Sequence, residues 1–433
     1  MFDLGLRCEE QTSELNRKQV VVMSDIRPFK GLRPRPELVQ KVASLPYDVL
    51  NYQEARELAK DNPMSFLHVI KAEIDFGPDV DIHSNKVYKR GAENFQKFLQ
   101  DGILIQDDSP CFYIYQIAMG SHTQTGLMAG ASVDEYEKGL IKKHEFTIKD
   151  KEDDRTCHVD ILNADTGPVM LSYHSNEEID KHLKKICDTS EPAYDFTADD
   201  GIKHVLWVVS EARDVEHIQK LFKNVPAMYI ADGHHRSAAA FRVRNLRKER
   251  NPNHTPDEPY NHFLAVAFPN NQLQILGYYR TVKDLGGLEP ETFISRLSEN
   301  FVVSQTDDPM PQRPRHFTMF LDGNWYSLTA KNGSFPAHDP VLSLDVSILQ
   351  KNILESVLNL YGIRTNDRID FIGGIRGTKE LERRCSQDMR VAFALYPTSI
   401  DQLMSVSDSG QVMPPKSTWF EPKLRSGIVI KSL

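Results

Sequence analysis

Cysteine is scarce: five residues (Cys8, Cys111, Cys157, Cys187, Cys385) in 433, odd in number and with no C-x-x-C spacing. That pattern excludes a disulfide framework and gives no thiolate zinc site. No stretch approaches the roughly 18 uncharged apolar residues of a membrane span. Met1-Phe2-Asp3-Leu4 lacks the basic-then-apolar layout of a secretory leader. The expected location is therefore the cytoplasm, with no membrane partner. Positive charge is not in excess either. Lys and Arg number 52 against 61 Asp and Glu, a net charge of −9, which argues against a protein built to coat nucleic acid. Internal repeats and low-complexity tracts are missing.

What is present is an ordinary globular composition, 40% hydrophobic and 26% charged, in a chain long enough for two or three domains. Residues 1–24 are polar and poorly patterned and are read as a dispensable extension, a candidate for disorder. Ile26 to Pro36 is Pro-rich and extended. Helices are expected over Glu37–Ala43, Gln53–Lys60 and Lys86–Leu99, and a strand over Ser65–Ile70. From about Ser109 the pattern alternates, with strands expected at Phe112–Ile117 and Gly126–Val133. An inserted, β-containing domain is placed at 105–203, between core segments 25–104 and 204–288, with a C-terminal α/β domain at 289–433. The fold class is α/β (α+β).

The chemistry is expected in Ala227–Ala240. An apolar run, Met228–Ala231, reads as a buried strand; Ser237–Leu246 has high helix propensity. Between them lie Asp232, Gly233, His234, His235 and Arg236. A strand, a glycine turn and a helix start make an anion site, because the first helical turn has unpaired N–H groups and the positive end of the dipole. His234, His235 and Arg236 add donors. Asp232 would repel a phosphate, so it is assigned to Mg²⁺ or to a nucleophile's proton. The same residues also fit a polar turn before a basic helix. Elsewhere, Lys143–Thr147 with Lys151–Arg155 reads as a charged loop. His144 and Glu145 are adjacent rather than one helical turn apart, which argues against zinc. Near the end, the Pro-bracketed Lys416-Ser417-Thr418 offers a cation and two hydroxyls.

Asp232-Gly233-His234-His235-Arg236 resembles the signature found in free-serine kinases of the ParB/sulfiredoxin-like superfamily. Pro28–Pro34, Pro46–Val49, Asn62–Phe66, Lys143–Thr147 with Asp154-Arg155, and Pro415–Thr418 are similar to motifs of a widespread bacterial family related to those kinases. The resemblance implies a ParB/sulfiredoxin-like core and an ADP- or ATP-dependent phosphotransferase. It would use Mg²⁺ and act on a small hydroxyl substrate, free L-serine or O-phosphoserine, in either direction. It also implies an essential Asp232, nucleotide phosphates on Gly233–Arg236, catalytic participation of His235, and substrate contacts from His144, Arg155, Lys416, Ser417 and Thr418. Lys30 stands where the kinases carry a catalytic Glu; Glu145 is the candidate replacement. The alternative is a ParB-like nucleotide- or nucleic-acid-binding regulator, for which Arg242, Arg244, Arg247, Lys248 and Arg250 on one helix would speak. Net charge and the lack of a helix-turn-helix pattern oppose it.

Overall fold

The computed structural model describes residues 24–363 and 365–433. The expected extension lies outside them except for Ser24, which is buried and bonded to the Val225 carbonyl.

A nine-stranded sheet organises the first two-thirds of the chain. Its strands are β1 (Ile26–Arg27), β2 (Phe112–Met119), β3 (His122–Ser132), β4 (Ile141–Lys142), β5 (Val169–Tyr173), β6 (Tyr194–Thr197), β7 (Lys203–Val209), β8 (Met228–Asp232) and β9 (His262–Pro269). Spatially the order is β4-β8-β5-β9-β3-β2-β7-β6, with β1 also paired to β3. Only β4–β8 and β5–β9 run parallel; the other pairs are antiparallel.

Both faces of this sheet are covered, which is why its strands read as nearly continuous apolar runs. On β2, Phe112 and Ile114 enter one core with the helices, whereas Tyr113, Tyr115 and Ile117 enter another. That second core continues into a six-stranded antiparallel sheet. It comprises β10 (Tyr278–Val282), β11 (Phe301–Gln305), β12 (His316–Leu321), β13 (Asn324–Ala330), β14 (Ile369–Gly373) and β15 (Val391–Leu395), in the order β11-β13-β12-β15-β10-β14.

Two expected boundaries are corrected. Val205–Val209 pairs residue for residue with Gln116 to Phe112 inside one sheet, so 105–203 is not an insertion standing apart from 204–288. The texture changes at residue 109 because the chain enters the middle of a sheet, not a new domain. The second sheet begins at Tyr278 rather than after residue 288, since β10 lies between β14 and β15.

Helices Tyr52–Ala59 and α1 (Asn85–Gln100) fall where expected, and Ala212–Phe222 is a further helix. Ser65–Ile70 does not form a strand; Leu67–Ile70 is a helical turn whose Leu67, Val69 and Ile70 are all buried, a run that periodicity cannot assign. The charged stretch after Thr147 is likewise not a loop but the helix α2 (Lys149–Leu162). It packs beside α3 (His234–Arg250) through ion pairs of Arg242 with Asp153 and of Arg247 with Asp160. After Leu344 the chain forms the helix Asp345–Leu349, followed by a π-helical segment, Gln350–Glu355.

The last residues return to the first sheet's neighbourhood. Trp419–Glu421 pairs with Gln274–Leu276, Ser426 bridges to Ser44, Ile430 to Leu32, and Lys431 pairs with Asp165.

Candidate active site

The cleft is built around the junction of β8 and α3. Met228–Ala231 are buried in the sheet, and the strand ends at Asp232. Gly233 then turns the chain with φ 100°, ψ 30°, a left-handed conformation that a side chain would strain. A Cβ there would also lie 3.1 Å from the Arg236 guanidinium carbon. Small residues Ser237 to Ala240 let α3 lie close against the sheet. No side chain caps the helix, so its first-turn N–H groups and dipole remain for a ligand. Asp232 is therefore not an N-cap.

The surrounding cleft has a cavity volume of about 430 Å³. Asp232 to His235 form part of its wall, joined by Tyr47, Asp48, Glu145, Lys151, Arg155, Tyr278, Lys416, Thr418, Trp419 and Lys423. Segments more than 360 residues apart in sequence thus share one concavity. The tail loop is held there by the buried Arg280, which donates to the carbonyls of Lys416 (2.9 Å) and Pro415 (3.4 Å). Lys416 itself has a left-handed backbone, φ 61°.

Each expected residue has a distinct position. The Asp232 carboxylate meets Arg236 at 3.1 Å and Lys423 at 3.8 Å. Burial works to raise its pKa, but Lys423, Arg236 and Lys416 outweigh that and hold it below the usual carboxylate range. Two cations thus occupy the surroundings in which Mg²⁺ was expected. Arg236 folds back to Asp232 and the Pro168 carbonyl and is absent from the cleft wall among the described residues. It braces the acid instead of reaching for a phosphate. His235 accepts the Ile148 N–H on Nε2 at 3.1 Å; burial lowers its pKa to about 4, leaving a neutral ring that can donate from Nδ1.

Burial also lowers His144 to about 4 and pushes His234 well below its ordinary value. These two rings stand edge to face with centroids 4.4 Å apart. Thr418 Oγ1 lies 3.4 Å from His144 Nε2. Glu145 is beside them: one donor atom each from His144, Glu145 and His234 fall within 4.8 Å of one another. Weighing His144 against its sequence neighbour alone missed this, because the third donor comes from α3. Arg155 stacks over Tyr47, 3.9 Å from the ring centroid, and pairs with Asp154 at 2.6 Å. Ser417 is turned inward: its hydroxyl donates to the Pro414 carbonyl at 2.6 Å and its carbonyl accepts from Thr398.

Lys423, Asp48 and Arg280 were not singled out from the sequence. Asp48 was inside a quoted motif, Pro46–Val49, and was legible to that extent. Lys423 and Arg280 carried no signal, since only the return of the tail gives them partners.

The nucleic-acid alternative loses its support here. Arg242 pairs with Glu152 and Asp153, Arg244 with Asp134 and Glu137, and Arg247 and Arg250 with Asp160. Four of the five helix cations are spent on carboxylates of the same protein.

These features describe a mixed α/β protein with an electrostatically mixed cleft at a helix N-terminus. The chain belongs to the family described as Protein of unknown function (DUF1015), whose model matches residues 26–347. A comparison with curated proteins finds no match. Among solved structures, free serine kinase in complex with AMP is similar with a TM-score of 0.34 and 13% identity, over 68% of this chain and 86% of that one. SbnI from Staphylococcus aureus, with a C-terminal truncation, gives 0.36 and 12% over 69% and 85%. A conserved hypothetical protein from Pyrococcus furiosus gives 0.32 and 12% over 68% and 90%. Among the described residues, no helix is long and apolar enough to cross a membrane.

Proposed function

We propose that the protein is a nucleotide-dependent phosphotransferase acting on a small hydroxyl substrate, with free L-serine or O-phosphoserine as the substrate to test first. The observation that supports this most is the uncapped N-terminus of α3 opening into a cleft that also holds Lys416, Lys423 and Arg155 beside the carboxylates Asp48, Glu145 and Asp232. Phosphoryl transfer asks a protein mainly for positioning and for charge to meet the equatorial oxygens. The first-turn N–H groups and Lys416 supply that charge. The enclosure of the cleft works against the charge on Lys416, but Tyr278, Glu145 and Asp48 outweigh it and raise its pKa, so the ammonium is kept. The D-G-H-H-R resemblance supports the choice of serine.

In this scheme the phosphates of ADP or ATP lie on the α3 N-terminus, with His235 donating from Nδ1. Glu145 accepts the proton of the acceptor hydroxyl, and Thr418 and Arg155 fix the acceptor. Asp232 holds Lys423 toward the phosphates. Mg²⁺, which binds through phosphate oxygens, water and one or two carboxylates, would take Asp48, the cleft carboxylate on the exposed rim, and neutralise phosphate charge. Asp232 does not fit that ion, since cations already flank it.

The test is incubation of the full chain with L-serine, Mg²⁺ and either ADP or ATP, following phosphoserine formation, and the reverse reaction from phosphoserine. Formation of phosphoserine that is lost in Lys416→Ala is the expected result. No turnover in either direction would overturn the proposal, and no binding of AMP, ADP or ATP in titration calorimetry would remove the nucleotide site as well.

A further inference from the structure

Two buried imidazoles, His234 in the cleft wall and His144 packed against it, each carry a nitrogen with no hydrogen-bond partner: Nδ1 of His144 and Nε2 of His234. Their residues are 1% and 6% exposed. A buried polar atom left unpaired costs about 1–3 kcal/mol, and two in one place, from segments 90 residues apart, call for a shared ligand. The third participant is Glu145, whose carboxylate completes the group of three donors within 4.8 Å of one another.

We infer that His144, Glu145 and His234 form a binding site for a divalent transition-metal ion, with Zn²⁺ as its representative. Two neutral imidazoles and one carboxylate are a borderline-soft N₂O donor set, suited to Zn²⁺, Fe²⁺ or Co²⁺ and unsuited to Mg²⁺, which demands oxygen ligands. Donors of a tetrahedral zinc site with bonds near ~2.05 Å stand about 3.4 Å apart, so the present spacing closes with a small movement of side chains. The surroundings match a metal site as well. Thr418 Oγ1 near Nε2 of His144 directs Nδ1 to the ion, as outer-shell partners of ligating histidines do. Met413 N–H bonds the His144 carbonyl at 2.8 Å and fixes the loop. His234 is the first residue of α3, immediately after the Gly233 turn.

Three protein ligands leave at least one coordination position, and Glu145 and His234 both line the cleft. An ion held here would present that position to a cleft ligand, polarising a hydroxyl or carboxylate oxygen. One Glu145 oxygen would bind the ion while the other remains available to the acceptor. The binding site itself does not rest on the phosphotransfer proposal; only this use of it does.

The experiment uses the full chain, freed of metal by chelator and dialysed. Zn²⁺ and Mg²⁺ are titrated separately by calorimetry, bound metal is counted by elemental analysis, and Co²⁺ is added as a spectroscopic probe. One Zn²⁺ per chain is expected, with visible Co²⁺ bands that added Zn²⁺ abolishes. Glu145→Gln and His234→Gln should each weaken Zn²⁺ at least about tenfold. Glu145 is only partly buried, so Glu145→Gln keeps the test decisive if the buried His234 variant fails to fold. Substoichiometric zinc, or equal Zn²⁺ affinity in wild type and Glu145→Gln, would overturn the site. Failure of phosphotransfer with Zn²⁺ binding intact would sink the proposed function and leave this site standing. Turnover without Zn²⁺ binding would do the reverse.

Discussion

Replacing Asp232 by Asn removes one negative charge and almost no volume, so its effect reports on charge. In the folded protein the carboxylate faces Arg236 at 3.1 Å and Lys423 at 3.8 Å. Breaking a fully buried pair costs about 3–5 kcal/mol, whereas exposed pairs contribute about 0–1 kcal/mol. The Asp232 side chain is 30% exposed and its two partners 12% and 10%, which places the loss between these limits, at about 2 kcal/mol. Urea unfolding at pH 7 should show that difference. Because the folded-state pKa is depressed, the contribution is present above the unfolded value near pH 4 and is lost as pH falls below it. The gap between wild type and Asp232→Asn should therefore be constant from pH 5 to 8 and close in acid. Nucleotide binding should persist, since a negative charge near the phosphates has gone, while turnover falls roughly a hundredfold because Lys423 is no longer held in place. Full activity in the variant would remove Asp232 from the mechanism, and unchanged stability across pH would show that the two ion pairs carry no weight.

Three further outcomes follow from the geometry. Gly233→Ala forces a side chain into φ 100° beside Arg236; it should cost about 1–3 kcal/mol in denaturant midpoint and abolish nucleotide binding in titration calorimetry. Arg280→Lys cannot serve the carbonyls of Tyr278, Pro415 and Lys416 as the guanidinium does; limited proteolysis should then cut near residue 416 faster than in wild type. Burial raises the Asp345 pKa to about 7, so the folded state binds this proton more tightly than the unfolded one, and stability should fall between about pH 4 and 7. Asp345→Asn should flatten that slope and raise stability at pH 8 by up to about 4 kcal/mol, checked by unfolding at pH 5 and 8; an unaltered slope would refute the assignment.

Local chemistry was legible where one segment carried it. Met228–Ala231 is the strand, Gly233 the turn and His234 the helix start that those residue types predict. Arrangements made only by distant segments were not legible. The alternating strands after Ser109 looked like a new domain because pattern reports which residues are buried, not which strand lies alongside, and β2 proved to be the partner of β7. Arg236 looked like a phosphate ligand because its type suits one; its commitment to Asp232 and Pro168 depends on how the side chain folds back. Lys423 and Arg280 acquire partners only from the returning tail. The His144–Glu145 pair was dismissed as a metal site on its own spacing, which says nothing of a third donor 89 residues later.

That returning tail also sets a timetable. During synthesis, α3 and both sheets are made before residues 416–431 exist, so Asp232 is at first without Lys423, and Leu32 and Asp165 are without their β partners Ile430 and Lys431. The cleft can close only when residues 416–431 reach back to Leu32 and Asp165, a long-range pairing whose loop-closure entropy makes it slow. A nascent chain that has not yet produced residues 416–431 would therefore lack a finished cleft, so that nucleotide capture awaits their arrival.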